Sequence, residues 1–149
     1  MATQSTHVLK MLKEIAAKEV DVAAEAMAHA MKAAEDAQSK HDLLRDYRQG
    51  YIDQLTKMLE SGITAEAYQN FQNFLKKLDQ AMAGQLEVVS MAKHQVQIQR
   101  EQWQEAQRKK LSYEVLTQRS DKRELQAEQK KDQKLMDEFA MRISRAGNK

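Results

Sequence analysis

Four histidines and no cysteine bound the metal chemistry open to this 149-residue chain. A transition-metal site needs three or four nitrogen, sulfur or carboxylate donors converging at short range. His7, His29, His41 and His94 share no such spacing. His29 and His94 approach one another only if two helices fold back together, and a solvated rim histidine explains each without a metal. His41 and Asp42 are sequence neighbours, and adjacent residues of a helix point in different directions. There is no glycine-rich phosphate loop and no nucleophile beside a base on a rigid turn. The basic pairs Lys109-Lys110 and Lys130-Lys131 are interleaved with glutamates, a pattern of solvated faces rather than of a nucleic-acid surface. Trp103 falls on an apolar repeat and reads as a packing residue. No catalytic group, metal or cofactor is expected, and the chain is not expected to be an enzyme.

What remains is a pattern that builds long elements. The chain has no proline, which would remove a backbone donor and clash inside a helix. Charged residues make up 31% and aromatics 5%, the composition of a coiled coil or long helix. Counting in sevens from Leu9 passes Ala16, Ala23, Ala30, Ala37, Leu44, Tyr51 and Met58, all apolar. Counting in sevens from Tyr68 passes Leu75, Met82, Val89, Val96 and Trp103, again all apolar. Two helices that each carry such a stripe bury it most simply against each other. The expected fold is all-α, an antiparallel two-helix coiled-coil hairpin, a rod rather than a globule.

The expected boundaries follow from capping chemistry. Helix one should run from about Ser5 to Glu60, with Ser5 or Thr6 capping its first turn. Ser61 to Ile63 supplies the turn, because Gly62 tolerates a positive φ. Helix two should run from about Thr64, a second cap, to Arg145, with Glu66 near its positive end. Residues 1–149 thus form a single hairpin domain. A facing register pairs Tyr51 with Phe71, Leu44 with Leu78, Ala30 with Ala92 and Leu9 with Tyr113. The intervening layers pair Tyr47 with Leu75, Ala33 with Val89, Ala26 with Val96 and Glu19 with Trp103. Ala37 with Gln85, Ala23 with Gln99 and Leu12 with Lys110 make poorer layers.

In this register the second helix outruns the first. Residues beyond Thr117 have no facing helix, and up to Lys134 their only sizeable apolar residue is Leu125. Apolar character then returns at helical spacing in Leu135, Met136, Phe139, Ala140 and Ile143. An unpaired end of about 25 residues projects about 40 Å at 1.5 Å per residue. A projection that carries an apolar face needs something to cover it, so this end reads as partner-binding.

Three stretches resemble the flagellar type III export protein FliJ family. The first is Leu12 to Asp21. The second spans Leu44 to Met82, with Asp46-Tyr47, Tyr51, the Gly62-Ile63 turn, Asn70 to Leu75, Leu78 and Ala81-Met82. The third, Asp132 to Arg142, is similar to the family's C-terminal signature and is the specific one, because it is not a heptad pattern. The resemblance implies a non-enzymatic component of the flagellar protein export apparatus, shaped like the stalk of a rotary ATPase. It implies three partners: the flagellar export ATPase ring, the export-gate membrane protein and export chaperones.

The positions matching the family's gate and chaperone cluster are Leu44, Tyr47, Tyr51, Phe74, Leu78 and Ala81. Lys40 and Gln85 depart from the family at two further cluster positions. Leu44, Tyr47, Tyr51 and Leu78 fall on seam positions, so packing explains them equally well. Phe74 and Ala81 flank the seam, and Phe74 is expected to be largely exposed. The ring-facing candidates are Leu135, Met136, Asp137, Glu138, Phe139 and Arg142. The net charge of +2 gives no pull toward nucleic acid, and no apolar run reaches membrane-span length. With no signal-peptide core either, the resemblance implies a cytoplasmic protein, monomeric when free and peripherally associated with the inner membrane at the flagellar base. The alternative is a generic coiled-coil scaffold or dimer.

Overall fold

The computed structural model describes residues 2–148. Two helices account for all but 62–64 and 148, α1 (Ala2–Ser61) and α2 (Ala65–Gly147), packed against each other with no strand among the described residues. At 60 and 83 residues they far exceed the usual three to four turns. Alanine, leucine, glutamate, lysine and glutamine favour them locally, but lengths like these are held by burying a continuous apolar stripe.

The link between the helices is built from three side-chain and backbone devices. Gly62 has φ of 86°, in the left-handed region that costs a residue with a Cβ and costs glycine nothing. Ser61 folds its hydroxyl back onto the carbonyls of Lys57 and Met58, at 3.2 and 3.3 Å. The Thr64 hydroxyl accepts the backbone N–H of Ala67 at 3.1 Å, capping α2.

The chain divides into two compact units, Val22–Trp103 and the pair of segments Met1–Asp21 with Gln104–Lys149. In the first unit Tyr51 lies against Phe71, ring centroids 4.7 Å apart, and the Gln85 side-chain amide donates to the Ala37 carbonyl at 2.9 Å. Both contacts match the expected facing register and make the pair antiparallel. The Ala37–Gln85 layer, poor on apolarity alone, is satisfied because a small alanine leaves its carbonyl within reach of a long amide. Leu55, Leu75 and Leu78 form the core, joined by Leu44, Tyr51, Ile52, Ile63, Phe71 and Phe74.

One stripe differs from expectation. On α2 the stripe holds from Leu75 through Met82, Val89 and Val96 to Trp103, all buried or half-buried, but Tyr68 at its start is exposed. On α1 the stripe also holds from Leu9 to Tyr51, though Met58 at its end is exposed, and its companion lies one residue later than expected. It runs through Thr6, Lys13, Val20, Met27, Ala34, His41, Arg48 and Leu55, all buried or half-buried. Glu19, Ala33 and Tyr47 are exposed, so the layers that placed them in the seam are incorrect. Apolarity favoured the wrong neighbour because the true companion stripe contains threonine, lysine, histidine and arginine. Long polar side chains bury their stems there and send their heads outward. Arg48 does this, its guanidinium reaching Asp79 on α2 at 2.5 Å.

The second unit contains the start of α1, which is helical from Ala2, so neither Ser5 nor Thr6 is its cap. Thr6 is only 6% exposed and works across the pair instead. Its hydroxyl proton goes to a Glu124 carboxylate oxygen at 2.7 Å, which leaves the Ser120 hydroxyl to donate to Thr6 at 2.9 Å. Glu19 meets Lys109 at the rim, 3.2 Å apart. Glu124 is the last described residue of α2 that is not exposed.

Candidate partner-binding surfaces

The first surface lies in the Val22–Trp103 unit, where α1 supplies Leu44, Tyr47 and Tyr51 and α2 supplies Phe74, Leu78 and Ala81. The heptad spacing divides these six residues by depth. Leu78 is buried at 7% exposure, and Leu44 and Tyr51 are half-buried against the core. Ala81 is exposed, and Tyr47 is 57% exposed.

Phe74 is half-buried rather than largely exposed, and packs on the core cluster. Its ring centroid is 4.5 Å from that of Tyr51 and 6.1 Å from that of Tyr47, with the Tyr47 ring edge-on at 70°. Offset and edge-to-face pairs of this kind place a ring's positive edge against its neighbour's negative face. Phe74 therefore holds Tyr47 up as an exposed aromatic plate on a packed base.

Leu43, at 70% exposure, stands one helical turn before Tyr47 on the same side of α1. Heptad reasoning passed over it because it lies outside both stripes. A search for apolar residues off the stripes would have found it. Of the two departing positions, Lys40 is exposed, while Gln85 is committed to the Ala37 carbonyl.

The second surface is the end of α2 in the other unit. Every described residue past Glu124 is exposed, including Met136 at 69% and Phe139 at 64%. Leu135, Asp137, Glu138 and Arg142 are exposed with them. The Gln133 amide donates to Asp137 at 3.4 Å, a contact within one turn of the same helix. The exposed helix from 125 to 147 is about 35 Å long at 1.5 Å per residue.

The seven-residue stripes of α2, continued past Glu124, would pass Lys131, Glu138 and Arg145, and Ala127, Lys134 and Met141. Leu135, Phe139 and Ile143 follow one another four residues apart, off those stripes. With Met136 and Ala140 beside them, they form an apolar face of their own. That face is not a prolongation of the hairpin seam.

Side-chain chemistry elsewhere is sparse. His29 is 4.0 Å from Glu25 in solvent. His41 Nδ1 comes within 3.7 Å of its neighbour Asp42, closer than adjacent helix positions suggested, yet makes no hydrogen bond. Asp42 itself takes the Gln38 amide at 3.1 Å and Arg45 at 3.5 Å. Among the described residues no three His, Cys, Asp or Glu side chains converge to hold a metal ion. No described helix is long and apolar enough to cross a membrane.

Fold and surfaces together define a helical hairpin whose long second helix ends in an uncovered apolar face. Sequence comparison places it more narrowly. The chain belongs to the Flagellar FliJ protein family, whose family model matches residues 5–149. It is 31% identical over 136 residues to the Flagellar FliJ protein of Escherichia coli (strain K12), covering 91% of this chain and 92% of that one. It is 30% identical over 136 residues to the Flagellar FliJ protein of Salmonella typhi, with the same coverage. Family membership supports a component of the flagellar export apparatus, and no enzymatic family is indicated.

Proposed function

We propose that this protein is a stalk-like component that docks into the flagellar export ATPase ring through the end of α2, links the ring to the export-gate membrane protein and engages export chaperones. One observation carries the reading: the uncovered face of Leu135, Met136, Phe139 and Ile143, set off the seam stripes of α2. An apolar helix face left in water is stable only when a partner covers it. A ring that encloses the helix covers every side of it at once. Asp137, Glu138 and Arg142 orient the entering helix, since rim charges steer association more than they strengthen it.

The aromatic plate of Tyr47 on Phe74, with Leu44, Tyr51, Leu78 and Ala81 beneath and beside it, serves the gate and the chaperones. The protein works in the cytoplasm, monomeric when free, at the inner membrane beneath the flagellum. Titrating the full chain into the purified flagellar export ATPase tests this reading. Hydrolysis and ring formation should both rise and saturate. An unchanged rate at saturating protein, together with a dimeric mass in solution, would favour a generic coiled-coil scaffold instead.

A further inference from the structure

The free end of α2 is sorted by side as well as by exposure. At about 100° per residue, Leu135, Met136, Phe139, Ala140 and Ile143 fall within about 140° of arc. All five are exposed, and Asp132, on the same arc, bounds the face at its start. The next ~80° on one side holds Lys131, Lys134, Arg142 and Arg145, with Glu138 as the one acidic residue among them. None of these four basic heads forms an ion pair with a described carboxylate. The flank on the other side holds Gln133, Asp137 and Ser144, and there the Gln133 amide occupies Asp137 at 3.4 Å. Basic charge is therefore gathered along one edge of the apolar arc.

Two kinds of surroundings would meet this sorting differently. A ring encloses a helix and touches every side, so enclosure alone does not account for charge gathered on one flank. A flat anionic surface touches one side only. It takes an apolar arc into its acyl boundary and holds the flanking Lys and Arg heads at its headgroups, their stems lying along the apolar layer. No described helix is long and apolar enough to cross a membrane. The arc from Leu135 to Ile143 spans about 12 Å along the axis, the size of an interfacial contact.

We propose that the end of α2 binds the surface of an anionic bilayer. It lies flat, with Leu135, Phe139 and Ile143 in the acyl boundary, rolled toward Lys131, Lys134, Arg142 and Arg145 at the lipid phosphates. Charge selects the lipid, since residues 130–145 carry five basic side chains against three acidic ones. An apolar arc this short with a few basic heads gives reversible attachment rather than anchoring. The bilayer covers this face whenever no ring encloses it. This goes beyond the docking role proposed above and does not depend on it.

Vesicle flotation of the full-length protein tests it, with no ATPase present, so its failure is separate from failure of the docking role. The protein should float with vesicles of phosphatidylglycerol and phosphatidylethanolamine in equal parts, and at least about tenfold less with phosphatidylcholine alone. Raising salt from about 0.1 M to about 1 M should weaken binding about tenfold. Phe139→Ala with Ile143→Ala should cut binding about tenfold. Lys131→Gln with Lys134→Gln, Arg142→Gln and Arg145→Gln should erase the preference for anionic vesicles. Both variants change only exposed residues, so the denaturation midpoint should not move. No flotation with the anionic vesicles would overturn the proposal and leave an acidic protein surface as the partner of this flank. Equal binding to the two lipids would overturn it too, as would binding that survives both variants.

Discussion

At the scale of single residues, the instructive case is Phe74, whose place on the sequence flanks the seam but whose ring is packed between Tyr51 and Tyr47. A fully buried phenylalanine costs about 3–5 kcal/mol when cut to alanine, so a half-buried one should cost about 2 kcal/mol. Phe74→Ala should therefore lower the denaturation midpoint clearly. Tyr47→Ala removes a largely exposed ring and one edge contact, and should cost under about 1 kcal/mol. If the plate faces the export gate, Tyr47→Ala should still weaken gate binding about tenfold or more. Chemical denaturation of both variants, read beside a binding titration, separates the two roles. Equal loss of stability in both would make Tyr47 a packing residue. Thr6 carries a similar lesson, since its hydroxyl suggests a cap locally while its burial makes it a cross-helix latch.

At the scale of elements, the two helices and their antiparallel sense were legible because a proline-free chain repeats apolar residues every seven positions on both sides of Gly62. α2 was readable along the stripe from Leu75 to Trp103, which has no polar member, although Gln85 and Gln99 lie in the seam beside it. α1 was half readable. Its companion stripe of Thr6, Lys13, His41 and Arg48 looks solvent-facing in any hydropathy pattern, and only the structure shows the stems lying in the seam. The candidate cluster was legible as a set of residues but not in depth, because depth depends on which neighbour of each pair occupies the stripe. Ala37→Cys with Gln85→Cys should join within one chain under a short bismaleimide crosslinker, because the Gln85 amide already reaches the Ala37 carbonyl at 2.9 Å. The control, Ala33→Cys with Gln85→Cys, should join poorly, since Ala33 is exposed. Crosslinks formed only between chains would contradict the hairpin.

At the scale of the whole molecule, the family and the uncovered end of α2 bear on the same question. The Flagellar FliJ protein match covers residues 5–149 and so includes a stretch, 125–148, in which every residue is exposed. Met136 and Phe139, at well over half exposure on that stretch, are the observation on which the proposed docking role rests. The sequence showed this as a return of apolar residues after a polar stretch. It could not show that they leave the seam stripe, because that depends on the phase of the paired helices. The direct measurement is stimulation of the flagellar export ATPase by the full chain and by a chain lacking Lys134 to Lys149. The truncated protein should keep its helical spectrum per residue and its denaturation midpoint, while stimulation falls to the level of the ATPase alone. Full stimulation by the truncated chain would contradict the assignment of this end as the docking element.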